Sequence, residues 1–153
     1  MNKGAIGVIG TGDDSRAFFD TAFEVGSLIA KAGFTLINGG LGGVMEASAR
    51  GAKEAGGLTI GLLPGADKKA ANPYIDVAIP TGMGDMRNAL IVRGSVGLIA
   101  IGGSMGTLSE IALALKAGKP VVGIDTWDVS DEIVEATGPK EAIEKLIALT
   151  SKG

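Results

Sequence analysis

One stretch constrains this chain more than any other. The apolar run Val96 to Ile101 leads into Gly102-Gly103-Ser104-Met105-Gly106-Thr107-Leu108-Ser109-Glu110, and the apolar stretch Ile111 to Leu115 follows. That is the pattern of a buried strand, a glycine-rich turn and a helix that starts at the turn. A helix start leaves backbone N–H groups unpaired, with the positive end of the helix dipole behind them. Glycines let an anion reach those groups without a Cβ in the way. The stretch therefore reads as a phosphate cradle formed by Gly103, Ser104, Met105, Gly106 and Thr107, with the Glu110 carboxylate set one turn into the helix.

The same pattern recurs along the chain. Ala5 to Gly10 reads as a first strand, with Asp13, Asp14 or Ser15 available to cap a helix that runs to about Lys31 and ends at Gly33. Phe18, Phe19, Phe23, Leu28 and Ile29 supply its core side. Phe34 to Asn38 is a second strand, followed by Gly39-Gly40-Leu41-Gly42-Gly43 and a helix from about Val44 to Ala55. Leu58 to Leu63 is a third strand. The polar, alanine-rich stretch from Ala66 to Pro73 is the best candidate for a mobile loop. Val77 to Ile79 is a short fourth strand, and a helix opens in Thr81 to Asn88 and ends near Gly94. After the cradle helix, Leu108 to Lys116, come a strand from Val121 to Ile124, a polar segment with Trp127, and a closing helix from Lys140 to Leu149.

Strands alternate with helices throughout, and the strands are continuous apolar runs, as expected where both sheet faces are covered. This predicts an α/β, Rossmann-like, doubly wound parallel sheet of six or seven strands in a single domain spanning residues 1–153. Ligands of such sheets bind outside the carboxyl ends of the strands, where all the glycine-rich turns fall. The apolar content, 46% of residues, is high for so small a chain and points to a homo-oligomer interface.

Composition excludes several classes. With neither Cys nor His, there are no disulfides, thiol nucleophiles, Cys/His zinc sites or histidine bases. No acidic cluster proposes a metal. Acid–base chemistry is left to carboxylates with Arg or Lys beside them. The net charge of −3 and 4% aromatic content give little for tracking a nucleic-acid backbone or stacking bases, so single-stranded nucleic acid is the weakest reading. No apolar run is long enough for a membrane span and no secretory signal is recognisable, so the cytoplasm is the expected location.

The first turn, Gly10-Thr11-Gly12-Asp13-Asp14-Ser15, nearly matches the dinucleotide fingerprint. It has Ser15 where the third glycine belongs, and the second strand ends in Asn38 rather than a ribose-binding carboxylate. Gly10 and Gly12 remain candidates for phosphate contact. Gly39, Gly40, Gly42 and Gly43 exceed what a helix start requires and read as ligand-contacting. Thr107-x-x-Glu110 also fits a capping box, which by itself would account for both residue types. Arg87 stands at a helix start near the cradle, an unfavourable place for a cation unless an anion is near. Asp85 reads as a helix cap. Met45, Met83, Met86 and Met105 read as pocket or core lining.

Taken together, Gly39 to Glu46, Arg87-Asn88 and Ile101 to Glu110 resemble the LONELY GUY (LOG) superfamily, formerly labelled "lysine decarboxylase", and most of all its molybdenum-cofactor carrier branch. The resemblance covers almost the whole chain. LOG enzymes carry Pro-Gly-Gly-x-Gly-Thr-x-x-Glu and an Arg-Lys pair, and hydrolyse the N-glycosidic bond of nucleoside 5′-monophosphates. The resemblance implies that Arg87 and Glu110 are the catalytic pair. Here Gly102 stands for the proline, Ser104 for one glycine and Asn88 for the lysine. The departures bear on hydrolysis more than on binding. The implied function is binding of a phosphorylated heterocycle, a nucleotide or the molybdenum cofactor, with LOG-type hydrolysis as the alternative and no resident cofactor required. A homodimer or larger homo-oligomer is implied, and lysine decarboxylation is not.

Overall fold

In the computed structural model, which describes residues 3–13 and 16–151, the strands form one seven-stranded sheet. They are β1 (Ala5–Gly10), β2 (Thr35–Asn38), β3 (Thr59–Leu63), β4 (Val77–Pro80), β5 (Gly97–Ile101), β6 (Val121–Ile124) and β7 (Ile133–Glu135). The order is β4-β3-β2-β1-β5-β6-β7, and every pairing is parallel. The helices are α1 (Phe19–Lys31), α2 (Val44–Glu54), α3 (Asn88–Gly94), α4 (Met105–Lys116) and α5 (Pro139–Thr150).

The two-residue alternation of each strand divides the core between two faces. On β1 and β5, Ile6, Val8, Ile99 and Ile101 join the cluster built with α1, α2 and α5. Ile9, Leu98 and Ala100 instead join Ile91 and Val92 of α3 and Ile111 and Ala114 of α4. Helices on both faces explain why the strands read as unbroken apolar runs. The chain winds outward from β1 to β4 and then crosses back to place β5 on the other side of β1. That reversal is the topological switch point, and it opens a crevice between the carboxyl ends of β1 and β5.

Three local expectations are corrected. First, α1 has Phe18 at its N-cap and no side-chain cap. A 3-10 turn, Arg16–Phe18, precedes it, and Asp13 does not cap it. Asp14 and Ser15 lie outside the described residues. Second, the segment after β6 contains β7, whose three residues carry too little periodicity to announce a strand. Third, α4 starts at Met105 rather than Leu108. The segment 66–73 holds a 3-10 turn, Lys68–Ala70, capped by the Asp67 side chain, which accepts from the Lys69 N–H. Gly33 follows the end of α1 with φ +86°, as expected.

Candidate functional site

The crevice at the switch point contains a small cavity of about 170 Å³. Its walls come from Gly10 and Gly12 after β1, Gly39 and Met45 after β2, Asp85, Arg87 and Asn88 before α3, and Ser104, Gly106, Thr107 and Glu110 of the cradle. The structure thus brings ten of the sequence-predicted residues into one place. Gly40, Gly42, Gly43, Met83, Gly103 and Met105 lie outside that lining.

The cradle forms as the start of α4. Ser104 is its N-cap residue, and Thr107, three positions on, faces back to it. The Thr107 hydroxyl accepts from the Ser104 N–H at 3.2 Å, and the two hydroxyl oxygens are 3.3 Å apart. The capping pair is therefore Ser104 and Thr107, not Thr107 and Glu110. The correction matters chemically, because it releases Glu110 from any capping duty. The first two amides of α4, those of Met105 and Gly106, have no acceptor among the described residues. From behind, the Trp127 indole N–H donates to the Ser104 carbonyl at 3.0 Å and packs against Gly103.

The second glycine turn works differently. Asn38, fully buried at the end of β2, brackets it. The Asn38 amide nitrogen donates to the Met45 carbonyl at 2.9 Å, and its oxygen accepts from the Gly40 N–H at 2.8 Å. The Val44 N–H, first of α2, donates to the Thr11 carbonyl at 3.1 Å. The Gly40 and Val44 amides are thus taken up inside the chain, and Gly40 and Gly43 serve close packing against β3 and the first turn. Asn72 adds a tie from the 66–73 segment, its N–H and side-chain amide donating to the Gly40 and Leu41 carbonyls at 2.9 and 2.8 Å. Asn38 is a residue that sequence reasoning missed. A polar residue closing an apolar strand before a glycine run was the available signal.

Arg87 is 9% exposed and held from two sides. Its Nε donates to the Leu62 carbonyl at 2.8 Å and its Nη1 to the Asn88 side-chain oxygen. Asn88 in turn donates to the Ser109 hydroxyl at 3.4 Å, and Ser109 donates to the Gly106 carbonyl at 2.7 Å. A chain of hydrogen bonds therefore links the guanidinium to the cradle. Burial lowers the affinity of Arg87 for its proton, and the Glu110 and Asp85 carboxyls counter that effect. Asp85 lines the cavity and is not a cap; the residue at the N-cap of its 3-10 turn is Met83.

Glu110 is 7% exposed, and its carboxyl makes no hydrogen bond among the described residues. Removal from water disfavours the charged form and raises its pKa to about 8, against the lowering influence of Arg87. Of the methionines, Met45 lines the cavity, whereas Met83, Met86 and Met105 are exposed and outside its lining. Their expected place in core or pocket is corrected, because the 3-10 turn and the early start of α4 turn them outward.

A wider depression of about 660 Å³ lies among Asp125, Trp127, Glu135, Glu141 and Lys145, and Glu141 and Lys145 there form an ordinary exposed ion pair. It contains neither the glycine turns nor a buried ionisable side chain. Among the described residues no group of acidic side chains is arranged to hold a metal ion, and no helix is long and apolar enough to cross a membrane.

The family model described as the SLOG cluster4 family, LDcluster4, matches residues 3–152. The chain belongs to this family. Among solved structures it is similar to the molybdenum cofactor binding protein of Rippkaea orientalis. That match has 38% identity and a TM-score of 0.91, covering 97% of this chain and 98% of that one. It is also similar to the molybdenum cofactor carrier protein of Chlamydomonas reinhardtii, at 37% identity and a TM-score of 0.88, covering 97% and 99% of the two chains. A more distant relative is a cytokinin riboside 5′-monophosphate phosphoribohydrolase of Mycobacterium tuberculosis. It is 33% identical over 117 residues, 71% of this chain and 63% of that protein. These matches bear out the resemblance to the LOG superfamily and its carrier branch.

Proposed function

We propose that this SLOG-family chain binds a phosphorylated heterocycle and carries it without cleaving it, a molybdenum-cofactor-type pterin phosphate being the first candidate. The observation that carries this reading is that Gly106, whose amide at the start of α4 is unpaired, the buried Arg87 and the buried Glu110 line one cavity at the switch point. The amides of Met105 and Gly106 face the phosphate, Arg87 adds charge, and Gly10, Gly12 and Gly39 allow close backbone approach. A cavity of about 170 Å³ suits a phosphate and little more, since complete small-molecule sites occupy about 300–1,000 Å³. The heterocycle therefore extends over the lip formed by Met83, Met86 and Met105.

That lip continues along α3 and α4 through the exposed Leu90 and Leu113. A second copy of the chain covering this side would complete the pocket and hide the apolar surface, in line with the homo-oligomer expected from composition. Similarity to the carrier proteins of Rippkaea and Chlamydomonas supports the choice of ligand class.

Titration with molybdopterin and with AMP tests the reading. Dissociation constants in the micromolar range are expected for at least one of them. Absence of binding below millimolar concentration for both overturns it.

LOG-type hydrolysis of a nucleoside 5′-monophosphate is the second reading. It is favoured by Arg87 and Glu110 lining the same cavity and by the similarity to the mycobacterial phosphoribohydrolase. Water activation needs Glu110 as the carboxylate, and burial favours the neutral acid. This weighs for binding near neutral pH. Release of free adenine from AMP, abolished in Glu110→Ala, would decide for hydrolysis.

A further inference from the structure

Glu110 is at the same time the most deeply placed ionisable group of the cavity and one without a hydrogen-bond partner. Its residue exposure is 7%, it lines the cavity, and no donor or acceptor of the chain reaches its carboxyl among the described residues. Its carboxyl oxygens are not among the fully buried unpartnered atoms of the described residues, so they open onto the cavity, where a ligand or water can meet them. The cradle beside it offers amides to an anion, and a carboxylate a few ångströms from an anion would oppose binding. A carboxylic acid would instead donate a hydrogen bond to it. Arg87 attracts Glu110 electrostatically but makes no ion pair with it among the described residues, its Nε and Nη1 donating instead to Leu62 and Asn88.

We propose that Glu110 is a ligand-recognising hydrogen-bond donor, a neutral carboxylic acid that gives its proton's hydrogen bond to an oxygen of the ligand's phosphate ester. This rests on the reading of the cavity as a phosphate site and specifies how that site tells its ligand from others. The ligand must present an acceptor oxygen at Glu110 while its remaining oxygens face the α4 amides. A ligand with only a donor at that point forgoes the hydrogen bond of the Glu110 proton and meets the carboxyl's C=O oxygen alone. The proton stays on Glu110 or is drawn from solvent as the anion enters, so that binding and protonation rise together.

The charged groups that line the cavity around Glu110 are few. Arg87 and Asp85 come from the turn before α3; Gly10 and Gly12 of the β1 turn, Gly39 and Met45 of the β2 side and the lining residues of α4 itself contribute none. Arg87 opposes protonation of Glu110, but burial outweighs it and holds the pKa near 8. A phosphate monoester, with a second pKa of about 6, is mostly a dianion across pH 7–9.5, so with AMP a change of affinity in that window reports the protein rather than the phosphate.

The test is titration calorimetry of the full chain with AMP and with molybdopterin between pH 7 and 9.5, in two buffers of different ionisation enthalpy. Affinity is expected to fall by about tenfold for each pH unit above 8, the limit for linkage to one proton. Uptake of a fractional proton is expected near pH 8. Glu110→Gln, which keeps a neutral donor, is expected to bind within about threefold of the parent at pH 7 and to lose the pH dependence. Glu110→Ala is expected to bind at least tenfold more weakly. Affinity that is flat with pH and free of proton uptake overturns the inference. So does loss of binding in a folded Glu110→Gln chain. Proton uptake is measured on the parent chain, so the inference can fail even if the variants do not fold. No binding of either probe at any pH defeats the phosphate-site reading itself, a different result from binding without linkage.

Discussion

Arg87 occupies the space that a side chain at Gly39 would need. A Cβ placed on Gly39 would stand 2.6 Å from Nη2 of Arg87 and 2.7 Å from Sδ of Met45. Contacts that short require one partner to move, and Arg87 is pinned by Leu62 and Asn88. Gly39→Ala is therefore expected to displace the guanidinium or Met45 while leaving the sheet intact. Its stability cost should be about 1–3 kcal/mol, typical of overpacking. Ligand affinity should fall at least tenfold. Thermal denaturation and titration with the same ligand separate the two effects.

Glu110 also makes stability depend on pH. Its pKa rises from the ordinary 4.5 in the unfolded chain to about 8 in the folded one. Between those values the folded protein holds the proton more tightly than the unfolded chain does. Its contribution to stability is thus complete below about pH 4.5 and is lost as pH rises through about 8. Glu110→Gln has no such proton to lose. Its melting temperature relative to the parent should rise steadily from pH 5 to pH 8.5, as followed by circular dichroism. A constant difference across that range would contradict the burial of a titrating carboxyl.

The cap at the cradle is open to a direct test. Thr107→Val removes the oxygen that accepts the Ser104 N–H and leaves the shape almost unchanged. The cost should be about 1 kcal/mol, as for other lost N-caps. Ligand affinity should fall because the first turn of α4 frays. Urea denaturation gives the first quantity and calorimetry the second.

Trp127 is the chain's sole tryptophan and donates its indole N–H to the Ser104 carbonyl behind the cradle. Ligand entering the cradle should shift or quench its emission, with a midpoint equal to the calorimetric dissociation constant. Trp127→Phe keeps most of the packing and loses the hydrogen bond. A several-fold loss of affinity is expected.

The exposed apolar residues on α3 and its approach give a last prediction. If the proposed homo-oligomer buries this side, Met86→Glu combined with Leu90→Glu is expected to leave the chain monomeric and to weaken ligand binding, as seen by light scattering and titration. Both positions are exposed in a single chain, so folding should be preserved.

Much of this architecture was legible from the sequence because strands buried on both faces must be continuously apolar, and because glycine runs mark the turns between strand and helix. Residues 5–10 and 121–124 were read to the residue, and the carboxyl-edge location of every glycine turn followed from parallel connection. The short β7 was not legible, since three residues of a polar segment become a strand only by pairing with β6. The start of α4 was not either. Ser104 and Thr107 form one capping pair and Thr107 and Glu110 another by spacing alone, and only packing chooses between them. The Gly40 and Val44 amides were equal candidates to those of the cradle until Asn38 and Thr11 were seen to accept them. The linear chain determined which chemistry was available: no thiol, no imidazole, a glycine cradle, one arginine and one glutamate at matching spacing. Tertiary structure decided what state that chemistry is in. Hydrogen bonds hold Arg87 in place, and exclusion of water sets the charge of Glu110. The Leu62 carbonyl that fixes Arg87 and the walls that enclose Glu110 come from residues far apart in sequence, whose distances exist only once the sheet has formed.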